Sequence, residues 1–179
     1  MSRSPWRLRA TRTLFESPWF RLRQDDLTLP HGEEITYSVI EHDGWVIALP
    51  LLEDERVVME RVYRHTLLRT LLECPSGGRD GESPDVAARR ELEEETGYRA
   101  AKVESLGRFH SSTGISNEWF EVFLATGLSA DGVISREPTE EIELVLVPFE
   151  ELLRMAREGE IEHAPSALAI LLAAARLRA

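Results

Sequence analysis

Cysteine is nearly absent. Cys74 is the one thiol in 179 residues, so no intrachain disulfide can form. Lysine is as scarce: Lys102 stands alone among 21 basic residues, and no function follows from that. Positive charge is in deficit, with a formal net charge of −11. Such a chain is a poor general binder of nucleic acid, whose phosphates it would repel. It can still hold a small phosphate compound if a cation bridges the two negative partners. No apolar run approaches the ~18 residues of a membrane span. No secretory apolar segment follows the N-terminus, so the expected location is the cytoplasm. The first 15 residues carry Arg3, Arg7, Arg9 and Arg12 without an acid, which a basic strand explains better than a transit peptide. Internal repeats and low-complexity linkers are missing.

What remains suits one domain, or one domain with a small appendage. Hydrophobic residues make up 42% of the chain, enough for a core, and the 30% that are charged are mixed along it, which argues against disorder. Residues 12–42 read as short strands: "WFRLRQDDLTLP" alternates, His31-Gly32 turns, and "EEITYSVIEH" alternates again. "WVIALPLL" is continuously apolar and suits a buried strand. "RVVMERVYR" makes the next strand, and "TLLRTLLECPSGG" ends in a glycine-rich turn. "SPDVAARRELEEETG" predicts a helix, with Ser83 as cap, Pro84 at its first position and Gly97 at its end. "KVESLGRFHSST", a loop and the strand "EWFEVFLATGL" follow. "IELVLVPF" is the last predicted strand, with Ile142, Leu144 and Leu146 on one face. "FEELLRMAREGE" and "PSALAILLAAARLRA" predict an amphipathic and an apolar helix. Strands mixed with few helices imply an α/β (α+β) sandwich, residues 1–42 forming a β appendage and residues 43–179 the main domain.

The predicted helix concentrates acids. From Gly81 to Tyr98 there are five glutamates and Asp85, against two arginines. At 100° per residue, Glu91, Glu94 and Glu95 share one face with Ala87, Ala88 and Leu92 flank that stripe, and Arg89 and Glu93 point to solvent. Carboxylates brought together raise one another's pKa unless a cation relieves them. Hard divalent cations take a few carboxylates plus substrate phosphates. The helix therefore reads as one wall of a metal site, against the competing reading of a solvated acidic helix paired with Arg89 and Arg90.

The order of residues favours the metal site. Glu82, seven intervening residues, then Arg90, Glu91, Leu92, Glu94, Glu95, Gly97 and Tyr98 resemble the box of the Nudix hydrolases, G-x5-E-x7-R-E-U-x-E-E-x-G-U. The leading glycine would fall at position 76, which is Ser76; Gly77 in "CPSGGRDGE" takes its place, with the loop one residue short. "RVYRH" with "LLECPSGG", "SSTGISNEWFEVFLA" and "TEEIELVLVPFEELLRMAREGEI" are similar to segments of the ADP-ribose and nucleotide-sugar pyrophosphatase branch.

That resemblance implies a Nudix-type α/β/α sandwich with a mixed sheet and a small N-terminal antiparallel β appendage. It implies a homodimer joined through the appendage. The activity implied is Mg²⁺-dependent (Mn²⁺ being the other candidate) cleavage of a nucleoside diphosphate sugar. ADP-ribose leads as substrate, giving AMP and ribose 5-phosphate. GDP-mannose, another nucleotide sugar, or non-catalytic nucleotide binding are the alternatives. Implied metal ligands are Glu91 and Glu95, with Glu94 supporting or bridging and the Ser76 carbonyl contributing. Arg90 would orient the carboxylates, beside Glu82 and Gly77. Glu140 would add a ligand from the acidic loop, and Glu137 or Glu141 would act as base or orient water. Arg64 would contact a phosphate, and Glu118 would contact substrate. Cys74 reads as a small buried residue, and Trp19, Phe20 and Trp45 as core or dimer contacts.

Overall fold

The computed structural model describes residues 5–178; Arg3 of the basic stretch and Ala179 of the last predicted helix lie outside the described residues. The chain divides into two compact units. Of the described residues, 5–44 and 109–119 form the first, 45–108 and 120–178 the second.

In the first unit, strands β1 (Arg7–Glu16), β2 (Arg21–Thr28) and β3 (Glu34–Glu41) make an antiparallel sheet in the order β1-β2-β3. Gly32, with φ of 91°, supplies the left-handed residue of the expected turn, where the Gly32 N–H donates to Leu29 O at 2.9 Å. Cross-strand pairs such as Arg12–Asp26 (2.8 Å) join its charged faces. Every residue of β1 is exposed, Leu8, Leu14 and Phe15 among them. Trp19 is 74% exposed and Phe20 38%, so neither belongs to the core.

The second unit starts with β4 (Trp45–Pro50), the apolar run, whose last five residues are buried. Then come β5 (Arg56–Arg64), β6 (Arg69–Glu73), β7 (Ser76–Gly78), α1 (Pro84–Thr96), β8 (Arg99–His110), β9 (Trp119–Ser129), β10 (Ile142–Pro148), α2 (Phe149–Glu158) and α3 (Ala164–Leu177). One sheet runs β7-β4-β9-β8 and is mixed, with β4 parallel to β9 and antiparallel to β7. The other, β10-β5-β6, is antiparallel. Helix α1 lies on β4 and β7, and α3 on β4. Strand alternation explains both: Val46 and Ala48 meet Ala87, Ala88 and Leu92 of α1, with Phe123 and Ala125 of β9 beside them. The amphipathic α2 buries Phe149, Leu152 and Leu153 and packs on α3 and β10. The mixed sheet with three helices is the expected α/β architecture.

Local details depart from expectation. Ser83 occupies the N-cap position of α1, but its hydroxyl donates to Asp85 Oδ1 at 2.8 Å instead of capping a backbone N–H. The clean alternation expected for β10 is blurred, since Leu146 is 40% exposed while Val145 is half-buried. Glu93 does not face solvent freely. It pairs with Arg99 at 2.7 Å and accepts the Val133 N–H at 3.3 Å, because the segment after β9 folds over that side of the helix. Gly97 does end α1, in left-handed conformation with its N–H on Glu93 O.

Candidate metal and phosphate site

The acidic stripe of α1 is drawn to one guanidinium. Arg90 Nε donates to Glu82 Oε2 at 2.8 Å. Its Nη1 donates to Glu91 Oε1 at 2.8 Å and to Glu94 Oε2 at 2.9 Å. Its Nη2 reaches Gly78 O at 2.8 Å and Asp80 Oδ2 at 3.2 Å. Four acids and the last carbonyl of β7 are thus held by one side chain, which orients them as outer partners orient metal ligands. The short loop closes because Asp80 and Gly81 are both left-handed, and Glu82 still reaches Arg90. Gly77 is required for close approach: a Cβ there would fall inside the Glu91 carboxylate.

Glu95 lies deeper, 5% exposed, and its Oε2 accepts the Ser76 N–H at 2.7 Å. Burial, then the charge of Glu60, pushes its carboxyl well above the usual range. Burial outweighs the Arg90 guanidinium at Glu91, whose pKa rises to about 7. Glu140 adds to the negative field at Glu60, Glu91 and Glu95. Its carboxylate accepts the Glu137 N–H at 2.7 Å, folding the acidic turn on itself. In the same turn the Glu140 N–H donates to Glu137 O at 3.0 Å. Glu141 borders a shallow hollow with Arg61, Tyr63 and Thr70. Period two in β5 puts Arg61 and Tyr63 on the face opposite Glu60, so Glu141 lies on the wrong side of that sheet for the stripe.

Arg64 grips Glu73, through Nε at 2.9 Å and Nη2 at 2.6 Å. Glu118 belongs to the first unit, where Ser111 Oγ donates to it.

Four contributors were not anticipated from sequence. Glu60 and Glu73 are each 1% exposed and stand opposite each other across β5 and β6. His163 Nδ1 lies 3.3 Å from Glu73 and 2.8 Å from Ser166 Oγ, with the imidazole pKa lowered by burial. Arg136 donates Nε and Nη2 to Glu95 O (2.9 and 2.6 Å) and Nη1 to Ile142 O (2.8 Å). With the Ser135 N–H on Glu94 O at 2.9 Å, it satisfies carbonyls at the end of α1 and stitches the acidic segment to the helix.

Among the described residues, no three His, Cys, Asp or Glu side chains stand in metal-ligand geometry. Their oxygens are turned to Arg90 and to the Ser76 N–H instead. The donor set nonetheless fits a hard divalent cation: buried carboxylates, with Glu60 Oε1 left without a hydrogen-bond partner among the described residues.

The architecture is that of a crystal structure described as an ADP compounds hydrolase, with a TM-score of 0.87 and 22% identity over 99% of this chain and 97% of that one. The NUDIX domain model matches residues 42–168, and the model of the nucleoside diphosphate sugar hydrolase N-terminal domain matches residues 6–40. The chain belongs to the Nudix family. It is 33% identical over 163 residues to the ADP-ribose pyrophosphatase of Bacillus subtilis (strain 168), covering 90% of this chain and 88% of that protein. It is 30% identical over 148 residues to the GDP-mannose pyrophosphatase of Enterobacter sp. (strain 638), covering 76% and 78%.

Proposed function

We propose that this chain is a divalent-cation-dependent pyrophosphohydrolase of nucleoside diphosphate sugars, with ADP-ribose as substrate and AMP and ribose 5-phosphate as products. The carrying observation is the Arg90-centred clasp of Glu82, Glu91 and Glu94, with Glu95 beside it on the Ser76 N–H. The relative named ADP-ribose pyrophosphatase favours this substrate, and the one named GDP-mannose pyrophosphatase favours GDP-mannose as a second reading.

Mg²⁺, or Mn²⁺ in its place, neutralises phosphate oxygens and lowers the pKa of a bound water. Glu91 and Glu95 would hold the cation, with Glu94 and the Ser76 main chain in support. Arg90 keeps the carboxylates aligned, and Gly77 lets Glu91 lie against the strand. Glu140 would add a ligand from its turn, and Glu137 would accept a proton from the attacking water. Arg64, 43% exposed at the end of β5, offers its free edge to a phosphate while Glu73 fixes its direction. Glu118 contacts substrate, and the first unit joins two chains in a homodimer. The protein acts in the cytoplasm; among the described residues no helix is long and apolar enough to cross a membrane.

The test is purified protein with Mg²⁺, offered ADP-ribose, GDP-mannose and other nucleoside diphosphate compounds, with products identified by mass. ADP-ribose should give AMP and ribose 5-phosphate only with the cation present. Release of free ADP, or no cleavage of any compound, would overturn the reading.

A further inference from the structure

Strand β5 carries a carboxylate that the helical motif does not explain. Glu60 shares the inward face of β5 with the buried Val58 and Val62. Its neighbours across the sheet are Leu144 of β10 and Glu73 of β6. Glu73 is satisfied by the two-point grip of Arg64 and by His163. Glu60 is not: it is 1% exposed, and its Oε1 is buried without a hydrogen-bond partner among the described residues. Arg136 is the cation acting most strongly on it, yet that guanidinium donates to main-chain oxygens of Glu95 and Ile142. Among charged groups, Glu60 in turn acts most strongly on Glu95.

Two buried carboxylates from different elements therefore feel each other's charge, and Oε1 of Glu60 meets no donor among the described residues. An orphaned buried carboxylate oxygen is costly unless something binds it. A hard cation accepts such an oxygen directly.

We propose that Glu60 is a further ligand of the divalent cation, presenting Oε1 from strand β5 opposite Glu95 on helix α1. This rests on the hydrolase reading above and extends it: the ion is then held between the antiparallel sheet and the helix, as well as along the helix. The competing role is a buried carboxylic acid that keeps its proton and never meets the ion.

Mn²⁺ titration of metal-free protein without substrate tests this, read by the electron paramagnetic resonance of the free ion. Circular dichroism checks the fold of each variant. Glu60→Gln and Glu60→Met should each weaken Mn²⁺ binding about tenfold or more, the second serving where the first leaves an unsatisfied amide. Glu60→Asp, which keeps the charge but withdraws the oxygens, should also bind more weakly. Wild-type affinity in the Gln and Met variants, with loss in Glu95→Gln, would overturn the role of Glu60 alone. Full affinity in Glu60→Asp would show that only charge is felt and would overturn ligation. Unchanged affinity in Glu95→Gln as well would overturn both this inference and the metal-site reading.

Discussion

Ser76 and Glu95 are joined by a hydrogen bond of 2.7 Å, from the backbone N–H of the first to Oε2 of the second. It ties β7 to the last turn of α1 and fixes where the deepest carboxylate of the stripe points. One neutral donor does not offset the burial of a full negative charge. Glu95→Gln keeps an oxygen for that bond while removing the charge. It should therefore fold normally and lose about 10²-fold or more in kcat through loss of a cation ligand. Turnover and thermal unfolding measured together check this; near-normal turnover would remove Glu95 from the metal site.

Gly77→Ala probes the approach of Glu91 to the strand. The added methyl would collide with the Glu91 carboxylate, so either that side chain or β7 must move. Overpacking of this kind costs about 1–3 kcal/mol. Cation affinity and kcat should both fall, and Gly78→Ala, where a Cβ has ordinary room, serves as control. Equal activity in the two variants would contradict the close-approach argument.

The carboxyls of the stripe also set how stability changes with pH. Glu91 has an ordinary value of 4.5 and is pushed up to about 7, chiefly by burial, with Arg90 opposing and Glu94 and Glu140 adding to the rise. The folded chain thus keeps a proton that the unfolded chain has already lost. That contribution is complete below the unfolded value and is lost as pH rises through the folded one. Glu60 and Glu95 are shifted in the same direction. Metal-free protein should melt lower at about pH 8 than at about pH 5.5, and Mg²⁺ should raise Tm more at the higher pH. Scanning fluorimetry with chelator or Mg²⁺ reads both. A metal-free Tm that climbs over this range would contradict the assignment.

The acidic turn before β10 offers three candidates in different surroundings. Glu140 acts on the buried carboxylates, Glu137 stands at the other end of the same turn, and Glu141 sides with Arg61 and Tyr63. Glu140→Gln should reduce kcat by about tenfold or more with little change in Tm. Glu137→Gln should show a loss if it takes the water's proton, and Glu141→Gln should be near wild type. If all three variants turn over normally at saturating Mg²⁺, the turn has no part in the chemistry.

The helix of the site was legible because a period of 3.6 residues converts spacing directly into a shared face. Glu91 and Glu95 lie inward as the wheel requires, and Arg90 collects the rest. Glu93 escaped the same argument because what covers it comes from a distant segment, residues 132–136, which a helical wheel cannot include. Glu60 does carry a signal in the sequence. Strand alternation groups it with Val58 and Val62, and an acid on a buried face needs a partner or a task. Glu73 gave the same sign beside Leu71. Arg136 gave none, since it acts on main-chain carbonyls and no side-chain pattern marks those.

Cys74 has a practical consequence. It is fully buried at the end of β6, its N–H donates to Ser166 Oγ of α3 at 2.8 Å, and burial pushes its thiol up to about 12. A thiol reagent in solution meets no thiolate until β6 and α3 part. As the chain has no other cysteine, each labelled molecule reports one opening of that junction. The natural sequence thus carries a built-in clock for local unfolding, and labelling rates with and without Mg²⁺ would show whether filling the carboxylate site slows motion at that junction.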